Sequence, residues 1–156
     1  MKKRMLWSLL LICMMGIFAG CGNDLKNDVQ EYQKFWLGLN EEARPIMMDF
    51  QAKTRLPNLN KDEKIAIMQD ITGKLEAIAE KQKNYKPKTK EVQSVHEKAI
   101  KSLGLSIEGL KEMTTAAQND TLDQNKIAEI MKKQEQVESL KKEASDELKA
   151  LAEKVK

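Results

Sequence analysis

The sequence predicts an all-α protein, an antiparallel up-down-up-down four-helix bundle, and three observations carry that prediction. From residue 25 onward, apolar residues recur at steps of three and four, which gathers them on one face of a helix. Lys, Glu, Leu, Ala and Gln dominate, while the β-branched runs and Gly-Asn turns that strands need are scarce. Breaks at Arg55 to Asn60, Asn84 to Pro87 and Gln118 to Thr121 divide the pattern into four segments with short connections. Short connections make sequential helices antiparallel neighbours, and four one-faced helices can bury their seams only against each other. A three-helix bundle with a loose first helix is the alternative.

The first helix carries Leu25, Val29, Tyr32, Trp36, Leu39, Ala43, Ile46 and Phe50 on one face. Pro45 falls inside that run, and a kink near 40–45 within one element is expected. Asn60 followed by Glu63 is a variant capping box for the second helix. That helix places Met68, Ile71, Leu75, Ile78 and Tyr85 on one face and ends near Asn84, before Pro87. The third carries Val92, Ala99, Leu103, Leu110, Met113 and Ala117, flanked by Val95, Ile100 and Ile107. Asp120 or Thr121 is the expected cap of the fourth, whose seam is Ile127, Ile130, Val137, Ala144, Leu148, Leu151 and Val155. Gln134 and Lys141 interrupt that last seam, and Gly104 and Gly109 weaken the third helix, which suggests a shallow groove between these two helices.

The N-terminus follows a different logic. Lys2, Lys3 and Arg4 precede an uncharged apolar stretch from Met5 to Phe18, and small residues follow. This order is that of a secretory signal. The stretch is short for a spanning helix, which needs roughly 20 apolar residues. Phe18-Ala19-Gly20-Cys21 resembles the lipobox of bacterial lipoproteins, with Phe18 where an aliphatic residue is usual. The resemblance implies a diacylglycerol on the Cys21 sulfur and cleavage between Gly20 and Cys21. Acyl chains contribute about 0.8 kcal/mol per buried methylene, enough in a pair for a stable anchor. The expected organisation is thus a signal peptide over residues 1–20, a lipidated cysteine and short tether over 21–27, and a bundle over 28–156. The expected location is the extracytoplasmic face of the cell membrane.

Charge and cysteine usage fit that processing. The chain has 27 Lys+Arg against 24 Asp+Glu, and its excess of +3 equals the three basic residues at positions 2, 3 and 4. The remainder is balanced, so charge does not argue for nucleic acid. Cys13 lies in the signal and Cys21 takes lipid, which leaves no thiol for a disulfide or a metal.

Catalysis has few residues to draw on. There is one histidine, no glycine-rich phosphate loop, and Gln93 where a Glu-x-x-His metal pair would need glutamate. No enzyme, metal or cofactor is expected beyond the covalent diacylglycerol. Tyr32, Phe35, Trp36 and His96 are the candidate ligand or partner contacts. The plain reading places the aromatics in the core, with Phe35 partly exposed, and makes His96 a partly buried, hydrogen-bonded ring.

Lys81, Lys83, Lys86, Lys88 and Lys90 cluster around the second turn, and Lys154 and Lys156 lie at the end of the sequence. An up-down topology returns both to the anchored end, and residues 22–27 reach only about 20 Å when extended. These lysines are therefore candidates for contact with anionic lipid or wall polymer. The competing reading is a solvated helix end whose lysines complement the dipole. The Lys-Glu-rich helical build is similar in composition to cell-wall-binding lipoproteins of Gram-positive bacteria. The expected function is a non-catalytic binding or scaffolding module of the cell envelope, with an envelope protein or anionic wall polymer as partner. The alternative is a ligand-binding or sensor bundle holding a small apolar molecule or metal.

Overall fold

The computed structural model describes side chains from Asn23 to Lys156, and the expected signal peptide over residues 1–20 and Cys21 lie outside those described residues. Four helices follow one another: α1 (Lys2–Thr54), α2 (Lys61–Asn84), α3 (Lys90–Gln118) and α4 (Gln124–Lys154). Near the start of the described part of α1, Leu25, Val29 and Tyr32 share a core cluster with Val92 and Val95 of α3, and Leu148, Leu151 and Val155 of α4 pack against it. At the other end of α1, Phe50 shares a groove with Leu59, Met68, Met113 and Leu122. The helices therefore alternate in direction, as the short connections require. Leu25 is in the core, so packing already begins within the stretch 21–27 expected to be tether.

Local chemistry explains most of the boundaries. Asn60 Oδ1 accepts the Glu63 N–H at 2.9 Å and Glu63 Oε2 accepts the Asn60 N–H at 2.8 Å, which completes the expected capping box. Asn58 and Asp120 adopt left-handed backbone, φ 66° and 55°, the geometry with which helices commonly stop. The cap of α4 is Asp123, whose carboxylate accepts the Lys126 N–H at 2.8 Å, and not Asp120 or Thr121. Asp120 instead ends α3 and pairs with Lys61 at 2.6 Å. α1 runs through Pro45 as one element. Pro45 is on the exposed side, so the carbonyl it deprives of a partner is open to water.

The four helices are not equivalent. α3 is buried on two faces. Ile107 packs with Leu39, Ile71, Leu75 and Ile78 from α1 and α2. The small residues Ala99, Ser102, Gly109 and Ala116 are buried as well, and a Cβ on Gly109 would stand 4.0 Å from Ile130 Cγ2 of α4. Small side chains there let α3 and α4 lie close, and Lys98–Glu147 and Lys133–Glu112 pairs lace the seam. Val137 is fully buried against that surface, a contribution of roughly 1.5–3 kcal/mol. The second core cluster contains side chains of α1, α2 and α3 and none of α4. Hence α4 shares a core cluster with α1 only at the end where the described part of α1 begins, which Tyr85 just past α2 helps to close.

Candidate functional site

The candidate contacts Tyr32, Phe35, Trp36 and His96 do converge. α1 presents Tyr32, Phe35 and Trp36 on successive turns, the end of α2 adds Tyr85, and α3 adds His96. Phe35 stacks on Tyr85 with ring centres 4.1 Å apart, and Tyr32 meets His96 edge-on at 5.6 Å. Tyr32 is 1% exposed and His96 5%, while Phe35 and Trp36 are half-buried. Aromatic packing of this kind supplies apolar area and mutual orientation, the ordinary work of a core.

Polar atoms inside this cluster are left without partners. The Tyr32 hydroxyl, Gln82 Nε2, Asp28 Oδ1 and both His96 ring nitrogens are buried and make no hydrogen bond among the described residues. The expectation of a hydrogen-bonded His96 ring is thus corrected. Burial holds the His96 pKa below its ordinary value; the Tyr85 and Gln82 backbone pulls the other way without reaching hydrogen-bond geometry. Burial likewise drives the Tyr32 phenol far upward, with Tyr85 beside it adding to the effect. The imidazole is therefore neutral at neutral pH. Among the described residues no cluster of His, Cys, Asp or Glu could hold a metal ion.

Asp28, which the sequence did not single out, ties this site together. It is fully buried. Its Oδ2 accepts the Thr89 N–H and hydroxyl, both at 2.7 Å, and the Lys88 N–H at 3.0 Å. Thr89 is the N-cap of α3 and makes no side-chain cap of its own. A carboxylate from α1 therefore serves the N-cap N–H of α3 and the N–H before it, where the helix dipole also favours negative charge. No local spacing announces such a cap, because its donor and acceptor lie 61 residues apart.

The lysine cluster is only partly assembled. Lys88, Lys90 and Lys154 line one groove at the closed end, together with Asp24, Glu31 and Glu91. Lys88 pairs with Glu31 at 2.7 Å, Lys83 with Glu80 at 3.3 Å, and Lys86 donates to the Lys83 carbonyl at 3.2 Å. Lys81 lies farther along the bundle, on Glu42 of α1. Lys156 is exposed at the last position. This end thus carries mixed charge.

A cleft of about 220 Å³ opens beside the aromatic cluster. It lies between α1 and α4, floored by α3, and not between α3 and α4 as the interrupted seam suggested. Tyr32, Trp36, Val95, Ala99, Ala144 and Leu148 form its apolar surface, and Lys141, Ser145 and Lys149 stand along α4. Lys141 was visible in the sequence as an interruption of the seam, but Lys149 gave no signal.

A second apolar surface lies at the opposite end. Leu56 is 56% exposed, Leu122 40%, Ile127 45% and Met131 61%, and a groove of about 470 Å³ runs between Phe50, Met68, Met113 and Leu122.

The sequence from residue 26 onward has a counterpart among known families. Residues 26–156 match the model of a family of lipoproteins. The chain belongs to that family, described as "Uncharacterised lipoprotein PM1805". It is a lipoprotein, and lipoproteins are held on membranes by their lipid. Among the described residues no helix is long and apolar enough to cross a membrane. No curated protein and no solved structure matches the chain.

Proposed function

We propose that this lipoprotein is a non-catalytic module on the extracytoplasmic face of the cell membrane. In this reading it binds or scaffolds another envelope protein through the end of the bundle farthest from its anchor at Cys21. The observation that carries it is the apolar groove between Phe50, Leu59, Met68, Met113 and Leu122, with Leu56, Ile127 and Met131 exposed nearby in the sequence. Grouped apolar exposure of this sort marks interaction sites, and methionine adapts to varied partner surfaces. Residues 23–54 of α1 span about 48 Å at 1.5 Å per residue, so this surface stands well clear of the anchored end. The single histidine, neutral and walled in by rings, supports a role without chemistry. Diacylglycerol on Cys21 is the one prosthetic group in this reading.

Photo-crosslinking in native membranes tests it, with p-benzoylphenylalanine at Leu122, at Met131 or at Lys90. The expected result is a discrete protein adduct from the first two positions and none from Lys90. Adducts from all three alike, or from neither distal position, would overturn it. Intact mass of wild type beside Cys21→Ser tests the anchor: the lipid mass is expected on the first and absent from the second.

The gathering of Lys88, Lys90 and Lys154 around one groove supports a second contact, with anionic lipid or wall polymer. Asp24, Glu31 and Glu91 beside them limit its strength, so binding to anionic vesicles is expected to be weak and salt-sensitive.

A further inference from the structure

We propose that the cleft between α1 and α4 binds a single-chain carboxylate of the fatty-acid type. Its tail would lie on Trp36 and Leu148, the half-buried apolar residues of the lining, with its head group at Lys141 or Lys149. Three observations point there. The cleft has an apolar floor, because α3 offers Ala99 and Ser102 where a core of this diameter would otherwise hold larger side chains. Lysines are the only charged residues that line it, in a chain whose charges beyond residue 4 are balanced. Trp36 and Leu148, on opposite walls of the cleft, are only half-buried and leave apolar surface open.

The electrostatics set the sign of the head group. Lys149 makes no ion pair among the described residues, and Lys141 shares Glu138 at 3.1 Å from a half-exposed position. Such surface pairs are worth little, so Lys141 can turn to a ligand at small cost. A carboxylate there gains an ammonium partner at either of two lysines that stand about 12 Å apart along α4, and it meets no lining acid, whereas a cationic head group would be repelled. The tail needs only apolar contact, which Trp36 and Leu148 supply without directional demands. This site is separate from the exposed distal surface, so failure of either proposal leaves the other standing.

The test uses the full chain with Trp7→Phe, which leaves Trp36 as its one tryptophan. The protein is reconstituted in phosphatidylcholine nanodiscs and titrated with dodecanoate, with empty nanodiscs as the partition blank. A saturable change in Trp36 emission is expected. The double variant Lys141→Gln with Lys149→Gln should weaken the midpoint by about fivefold, the loss of an exposed ion pair at either lysine. Ser145→Phe fills the cleft from an exposed position, and should abolish the saturable change while the helical circular dichroism stays as in wild type. Dodecyltrimethylammonium, with the same tail and opposite charge, should give none. A non-saturating drift with dodecanoate, equal binding of the cation, or a double variant that titrates as wild type would each overturn the proposal.

Discussion

Asp28 Oδ2 accepts the Thr89 backbone N–H at 2.7 Å, so the start of the described part of α1 is bonded to the first turn of α3 across 61 residues. The same oxygen takes the Thr89 hydroxyl and the Lys88 N–H. Truncation at position 28 therefore strands three donors at a helix end.

Asp28→Ala is expected to lower the unfolding free energy by about 2–3 kcal/mol, the sum of a lost cap and donors left buried without partners. Asp28→Asn keeps an acceptor in place and should cost about half as much. Urea unfolding followed by circular dichroism measures both. Equal loss in the two variants would mean that the negative charge at the helix start, and not acceptance of these hydrogen bonds, is what Asp28 provides.

This contact also marks where sequence reading stops. The seam Leu25, Val29, Tyr32 and Leu39 was legible because a helix face repeats every three to four residues, and the Asn60–Glu63 box because its partners lie one turn apart. Asp28 looked like any solvated acid between Asn27 and Val29. Its role depends on a partner delivered by tertiary folding, which no local period encodes. The second buried face of α3 was missed for a related reason. Ser102, Gly109 and Thr114 are not apolar, yet small size suits them to a close helix contact as well as hydrophobicity would.

His96 makes stability pH-dependent in a defined window. Its pKa in the folded protein is held below the ordinary 6.5 by burial, so the unfolded chain binds a proton more readily. Stability from this site is complete above about pH 6.5, and is lost as pH falls from there toward the depressed folded value. The melting temperature should drop between pH 7 and pH 5 in wild type, and His96→Phe should flatten that drop. The ring faces Tyr32, Phe35 and Tyr85, with Lys86 and Glu97 the nearby charges. Asp49, Asp70 and Glu112 have lowered pKa values, which puts their titration at more acidic pH.

Tyr32→Phe should be neutral or stabilising by about 1 kcal/mol. The hydroxyl it removes is buried without a partner among the described residues, so its desolvation is uncompensated. Tyr32→Ala, by contrast, empties the aromatic cluster and should cost about 3–5 kcal/mol. Thermal unfolding of the pair separates the two contributions, and a Phe variant less stable than wild type would place a bonded water on the hydroxyl.

Two interior glycines can be replaced with gain. A Cβ on Gly104 meets nothing within 4 Å, and one on Gly109 makes ordinary contact with Ile130 at 4.0 Å. Gly104→Ala and Gly109→Ala should each add about 0.5–1 kcal/mol through helix propensity. Chemical denaturation checks this. A loss at Gly109 alone would show that α3 and α4 cannot accommodate even a methyl between them.

The order of synthesis turns the placement of α1 into a matter of time. Tyr32 and Leu25 leave the ribosome before Val92, Val95 or Leu148 exist, so the apolar face of α1 has nothing to cover it at first. At roughly 5–20 residues per second, the 61 residues between Asp28 and Thr89 take about 3–12 s to make. Through that interval the start of α1 must stay uncovered without aggregating. The abundant Lys and Glu on the outer faces of α1 and α2 serve the nascent chain as much as the finished bundle.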